Sequence, residues 1–309
     1  MKIAQSALPH WGLGGGTVTL IAARENAVYR VDHPSGPFAL RVHRTGYRTD
    51  SQLAAELDWM AMLDQAGLSV PAPIPALNGK TLQIVGGSQV DVLTWLSGGT
   101  LVDALPHLDA DQRAALFGRL GRTMAHMHSA IDGWAGASQC DRPAWDAAGL
   151  LGDSPMWDRF WDNPGLTPEQ TAQMVAFRAR ATTELHALAP ALDYGLIHAD
   201  LVPANVMMSG DKLHFIDFDD GGFGFRLFDV ATALFKLSAE PDYATLHHAL
   251  LSGYSETRAI EASHLPLFMA LRAASYVGWN ITRAQEPGAG DRNARFIAEA
   301  QTAIAAYMS

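Results

Sequence analysis

The sequence predicts an α+β chain with a β-rich first third and a mostly helical remainder. Three observations predict it. Residues 17–43 hold three short β-branched and apolar runs separated by turn-forming residues. Residues 50–66 switch to helical spacing and stop at Gly67. Beyond SGGT at 97–100 the pattern becomes one of long helical stretches. The composition shift sets the expected domains at 1–97 and 98–309.

The elements follow in order. TVTLIAA (17–23), AVYRVD (27–32) and PFALRVH (37–43) read as strands, with REN and HPSG as the turns between them. DSQLAAELDWMAMLDQA (50–66) reads as an amphipathic helix through Leu53, Leu57, Met60 and Leu63. VPAPIPALNG is a Pro-rich connection, and KTLQIV with QVDVLTW (80–95) a closing hairpin. Asp109 is a plausible N-cap for a helix running to about residue 129. Residues 168–189 form another long helix, and 195–220 revert to strands and turns. Residues 226–309 are helical by period, with breaks near Pro241, Pro266 and Pro287. GLGGGT at 12–17 precedes a strand and does not satisfy G-x-G-x-x-G, so it reads as a flexible connection, not a dinucleotide loop.

Composition bounds the function. The 309 residues are 48% hydrophobic and 17% charged, enough apolar material for a sizeable core. With 22 Lys+Arg against 32 Asp+Glu the formal charge is −10, a poor balance for neutralising nucleic-acid phosphates. One cysteine, Cys140, excludes an internal disulfide and a multi-thiolate zinc site. No apolar run approaches the ~20 residues that span a bilayer, and the opening residues lack a signal-peptide pattern. The expectation is a cytoplasmic protein, monomer or homodimer, with no nucleic-acid or membrane partner.

The chemistry concentrates in GLIHADLVPANVMMSGDKLHFIDFDD, residues 195–220. VMM-SGDK-LHFI reads as a hairpin that returns Asp217 to the neighbourhood of Asn205. A carboxamide and a carboxylate on adjacent loops make an incomplete oxygen site of the kind Mg²⁺ completes with substrate phosphates. Asp200 would face an open position, where it could accept a hydroxyl proton.

HADLVPAN and IDFDD resemble the catalytic and metal loops of the protein-kinase-like fold. The likeness is closest to the aminoglycoside phosphotransferase and choline kinase family, near its homoserine kinase and stress-response kinase group. ENAVYRV, FALRVHR, AELDWMAML and FDVATAL extend the resemblance over most of the chain. It implies a bilobal fold, with a small β-rich N-lobe carrying one main helix and a larger, mostly helical C-lobe. It implies transfer of the γ-phosphoryl group of ATP, or GTP, to a hydroxyl of a small molecule, with Mg²⁺. Amino alcohols, homoserine-like hydroxy-amino acids and aminoglycosides are the candidate acceptors. A stress-response type Ser/Thr protein kinase and a nucleotide-binding pseudokinase scaffold are the alternatives.

The resemblance also assigns roles. Asp200 is the expected catalytic base, His198 braces its loop, and Asn205 and Asp217 hold the metal. Asp229 is expected to buttress the catalytic loop. Arg41 stands where most kinases of this fold carry a lysine, with Glu56 as its expected ion-pair partner. The phosphate-covering loop falls at 23–27, ARENA, where the N–H groups of Asn26 and Ala27 would approach a phosphate. Adenine is expected against the main chain of 93–96, including Thr94 and Leu96. Asp219, Asp220, Trp157 and Arg272 are candidates for acceptor binding. The competing readings are loop carboxylates balanced by Arg226, apolar packing of the indole, and a helix-pairing arginine.

Overall fold

In a computed structural model the chain is described over residues 1–23 and 26–309. It divides into two compact units. The first is Met1–Pro106, Ala130–Arg142 and Ala204–Asp219; the second is His107–Ser129, Pro143–Pro203 and Asp220–Ser309.

The first unit is built on a five-stranded antiparallel sheet: β1 (Thr17–Ala23), β2 (Ala27–His33), β3 (Gly36–Val42), β4 (Leu82–Val85) and β5 (Ser88–Thr94). Its order is β1-β2-β3-β5-β4, so β5 passes β4 to pair with β3. Strand alternation gives this sheet two faces of opposite character. Leu40, Val31, Val90 and Val92 are buried on one face against Ala4, Ala7, Leu8 and Trp11. The other face carries Arg41 and Asp91, which are cross-strand partners.

The residues that cover the apolar face come from a segment without a clear period. Lys2–Ala7 is a short helix that runs into the 3₁₀ turn Leu8–Trp11. Gly12, at φ 69°, ends that turn by donating to Leu8 and Pro9 carbonyls, and Leu13 is buried behind it. The glycine cluster is therefore a helix stop and not a slack connection. The Pro-rich stretch also has a definite place. Ile74 N–H donates to Val92 O at 2.8 Å and Thr94 N–H to Ala72 O at 2.8 Å, so it runs along β5.

Helix Asp50–Gln65 begins at Thr49, whose side chain accepts from Gln52 N–H while the Gln52 side chain accepts from Thr49 N–H. It buries Leu53, Leu57, Met60 and Leu63 together with Glu56. The hairpin Val206–Ser209 and Lys212–Phe215 is antiparallel, as its sequence predicts, and Gly99–Thr100 adds a third strand to it.

The second unit holds a small sheet and most of the helices. Gly222–Phe225 lies between Ala144–Trp145, parallel, and Tyr194–Ile197, antiparallel. Ala144–Trp145, only two residues long, carries too little alternation to be read from the sequence. Helix Leu265–Trp279 packs against Arg226–Phe235 and Ala289–Met308. Every residue of Arg226–Phe235 is buried. Pro241, Pro266 and Pro287 each stand at or just before a helix start, where a missing N–H costs nothing.

Gly98 sits at φ 125°, and a Cβ there would collide with the main-chain carbonyl of Met208. Gly98→Ala should therefore lower unfolding free energy by about 2–4 kcal/mol. Urea unfolding of the full chain measures it, and an unchanged midpoint would contradict this account of the turn.

Candidate active site

Within the first unit, the polar face of the sheet organises a buried charge network. Arg41 donates through Nε and Nη2 to the two carboxylate oxygens of Asp91, at 2.9 and 2.8 Å. Its Nη1 donates to Glu56 Oε1 at 2.8 Å. Arg142 Nη1 donates to Glu56 Oε2 at 3.1 Å, and His43 Nε2 lies 2.6 Å from Asp91 Oδ2. All five residues are buried. Burial alone would push both carboxylates up. The Arg41 charge, aided by Arg142 and His43 at Glu56 and by His43 at Asp91, outweighs burial and holds both below the usual carboxylate range.

The Arg41–Glu56 pair matches the contact expected from the sequence. Asp91, His43 and Arg142 were not expected. The missing signal was register: Asp91 opposes Arg41 only because β5 crosses over to β3.

Arg142 extends the network to the loop that follows Asp217. Its Nη2 donates to the carbonyls of Phe218, at 3.0 Å, and Asp219, at 2.6 Å. Arg48 Nη2 donates to the same Asp219 carbonyl at 2.9 Å. Asp219 is itself buried at 4% exposure, so this acceptor-binding candidate sits inside the unit with its main chain clamped. Asp217, two residues earlier, is exposed and adopts φ 66°. Ile216 N–H donates to Asn205 O at 3.0 Å, closing the hairpin base and setting Asn205 and Asp217 at its two ends. Among the described residues no group of three or more His, Cys, Asp or Glu side chains is arranged to hold a metal.

The remaining first-unit candidates are placed as follows. Asn26 Oδ1 accepts from Arg44 N–H at 3.3 Å, and Ala27 opens β2 opposite Val42. The expected phosphate-covering loop also includes Arg24 and Glu25, which lie outside the described residues. Thr94 ends β5, with Oγ1 accepting from Ala72 N–H at 2.9 Å, and Leu96 follows half-buried in irregular chain.

In the second unit, His198, Ala199 and Asp200 form a turn that Asp229 holds from below. Asp229 Oδ2 accepts from His198 N–H at 2.8 Å and Oδ1 from Ala199 N–H at 2.6 Å. Ala199 is at φ 64°, a left-handed conformation that costs an alanine roughly 1–2 kcal/mol. The buried carboxylate offsets that cost. The His198 imidazole accepts from Asp200 N–H at 3.4 Å.

Behind Asp229 stands a residue the sequence reading passed over. His128 Nε2 lies 3.1 Å from Asp229 Oδ2 and its Nδ1 2.7 Å from the Tyr254 hydroxyl. Burial, then the nearby Arg226 charge, pushes the His128 imidazole down to about 4, although Asp229 pulls the other way. Burial would raise the Asp229 carboxyl, but His128, His198 and its backbone donors bring it below its ordinary value.

Arg272 is fully buried on helix Leu265–Trp279. It donates to Asp200 Oδ1 through Nη2, to Ala199 O at 3.0 Å, and to the Tyr276 hydroxyl at 2.8 Å. Its guanidinium lies 4.6 Å from the centre of the Trp157 ring. Trp157 in turn donates to Asp220 Oδ1 at 3.4 Å. Arg226, a candidate partner for the loop carboxylates, donates to Leu196 O and lies 4.0 Å from Asp193.

The profile of the phosphotransferase enzyme family matches residues 17–262. The chain belongs to that family. Homoserine kinase of Sinorhizobium medicae (strain WSM419) is 30% identical over 267 residues, covering 84% of this chain and 76% of the relative. The solved structure of the microcompartment-associated aminopropanol kinase matches with a TM-score of 0.83 at 28% identity, covering 98% of this chain and 95% of that one. Amicoumacin kinase hAmiN, solved with AMP-PNP, Ca²⁺ and Ami, matches with a TM-score of 0.77 at 21% identity, covering 96% and 91%. At that identity it bears on the fold alone. The phosphotransferase is a kinase with small-molecule kinases among its relatives, and its architecture is the kinase-like one its loops predicted. No helix among the described residues is long and apolar enough to cross a membrane.

Two measurements probe this chemistry. Arg41→Met removes the guanidinium shared by Asp91 and Glu56, leaving His43 on one and Arg142 on the other, and should cost about 3–5 kcal/mol in urea unfolding. A loss under 1 kcal/mol would show that the network does not hold the sheet to its helix. For His128, the sign follows from its lowered value. As pH falls from 6.5 to about 4 the unfolded chain takes up a proton that folded His128 refuses. Stability should drop by about 3 kcal/mol over that window from this group alone. The slope should flatten in His128→Gln when the two are compared by urea unfolding between pH 7 and 4.

Proposed function

We propose that the phosphotransferase moves the γ-phosphoryl group of ATP to the hydroxyl of a small amine-bearing alcohol. The carrying observation is the pair of carboxylates, Asp200 and Asp220, both linked to the Arg272 neighbourhood within the second unit. Two carboxylates gathered in one neighbourhood suit a cationic acceptor whose amine meets Asp220 while its hydroxyl meets Asp200. Trp157 is then a support and not an aromatic platform, because its ring already carries Arg272 and its N–H already serves Asp220.

Asp200 orients the acceptor hydroxyl and accepts its proton. The hydroxyl oxygen bonds to the γ-phosphorus, the bond to the β–γ bridging oxygen breaks, and ADP leaves. Asn205 and Asp217 would hold Mg²⁺, and their donor chemistry fits it: one carboxamide and one carboxylate at the two ends of a closed hairpin, with phosphate oxygens left to complete the shell. That ion supplies charge neutralisation on the nucleotide phosphates. Arg41 has three donor positions engaged by Asp91 and Glu56, so it sets the electrostatic floor of the phosphate region and keeps its remaining N–H bonds for a phosphate oxygen. Main-chain groups near Thr94 and Leu96 would meet the base, an arrangement compatible with ATP or GTP. The 1–97 and 98–309 division is the corresponding lobe assignment. The homoserine and aminopropanol kinases among the relatives act on small molecules, which favours this reading over a protein acceptor or a scaffold.

The test is a coupled ADP-release screen of purified protein with Mg·ATP and Mg·GTP against homoserine, 1-amino-2-propanol, choline, ethanolamine and an aminoglycoside. An amino alcohol should turn over, and omission of Mg²⁺ should abolish the rate. Asp220→Asn should raise KM for that acceptor about 10-fold or more while leaving KM for ATP unchanged. Turnover confined to amine-free alcohols would sink the proposal.

A further inference from the structure

Arg272 was expected to be a candidate for an acceptor carboxylate, but its placement suits another task. It is fully buried, and its two terminal nitrogens are committed to Asp200, to the carbonyl of Ala199 and to the Tyr276 hydroxyl. The residue before Asp200 is the strained one, at φ 64°. Arg272 thus grips both the side chain of Asp200 and the main chain immediately before it. Asp229 holds the same turn through the N–H groups of His198 and Ala199, so donors and an acceptor of the turn are held together.

The grip is itself braced. The Trp157 and Tyr276 ring centres lie 4.6 Å and 4.4 Å from the guanidinium carbon, so two aromatic rings pack against it. A planar fork packed against two rings has few rotamers left to lose. We infer that Arg272 is a positioning residue that fixes the orientation of the Asp200 carboxylate toward the acceptor hydroxyl. The inference rests on the assignment of Asp200 as the proton acceptor. One guanidinium spans Asp200 and Ala199 together, a geometry that a lysine's point charge does not reproduce.

The effect belongs in kcat. Misplacing a reacting group by about 1 Å costs roughly 100-fold. The experiment measures steady-state ADP release with the fastest acceptor of the screen, and with water as acceptor in Mg·ATP hydrolysis. The chains compared are wild type, Arg272→Gln, Arg272→Lys, Asp200→Asn and the double variant Asp200→Asn/Arg272→Gln. Arg272→Gln should lower kcat about 100-fold with KM for Mg·ATP within about 3-fold. Arg272→Lys, which keeps the charge but not the fork, should recover part of that loss and stay about 10-fold below wild type. In the Asp200→Asn background the Gln substitution should change the residual rate by less than about 3-fold, because the group it positions is gone. Equal losses in both backgrounds would overturn the inference, since Arg272 would then act independently of Asp200. If thermal melting shows Arg272→Gln unfolded, Arg272→Lys decides, and a wild-type kcat in it overturns the inference. An active Asp200→Asn overturns the functional assignment along with it, whereas an inactive Asp200→Asn beside fully active Arg272 variants overturns this inference alone.

Discussion

The first unit depends on one buried guanidinium, Arg142. Its two terminal nitrogens join Glu56, on the helix beside the sheet, to the carbonyls of Phe218 and Asp219, just past Asp217. Glu56 also accepts from Arg41, and Arg41 donates to Asp91. Sheet, helix and the loop 217–219 are therefore tied through one chain of charge-assisted hydrogen bonds. Arg41 and Arg142 balance Glu56 and Asp91, which is the condition under which buried ions are tolerated. Such a network adds little net stability over an apolar core of the same shape. What it does provide is a fixed geometry, because removing any one member leaves a buried charge without its counter-ion. The lowered proton affinity of Glu56 and Asp91 keeps both charged well below neutral pH, and their contribution is lost only as acid protonates them.

Much of this architecture was legible in the sequence because its signals are local. Strand alternation placed β1 to β3 within a residue of their ends, Asp109 marked a helix start and the prolines marked helix breaks. The hairpin after Asn205 was legible from its turn, and with it the return of Asp217. The N-terminal helix was missed because six residues hold too little period to register, although its apolar residues cover a whole sheet face. Asp91 and Arg142 were missed for a different reason. Each meets its partner through tertiary register, one across a strand crossover and one from a segment about 86 positions away. Arg272 was legible as an arginine on a mostly apolar helix, but its contacts with Asp200, Ala199 and Tyr276 were not, since only helix packing reveals what such a side chain reaches.

Both site loops carry a left-handed non-glycine residue, Ala199 before Asp200 and Asp217 itself. Neither conformation is favoured by the residue alone, though aspartate tolerates it better than alanine. In each unit the surroundings supply what the local chain lacks. At Ala199 a buried carboxylate takes two N–H groups and Arg272 takes the carbonyl, and a hydrogen bond to a charged group contributes roughly 1.5–3 kcal/mol. Past Asp217, Arg142 and Arg48 hold the carbonyls of the next two residues. The same device thus appears twice with opposite sign, a carboxylate gathering donors at one loop and arginines gathering acceptors at the other. Glycine would adopt either turn without strain, but it would leave the chain free to leave it. A strained residue locked by buried charge gives the neighbouring carboxylate one direction to point, and that is the constraint a phosphoryl transfer governed by positioning requires.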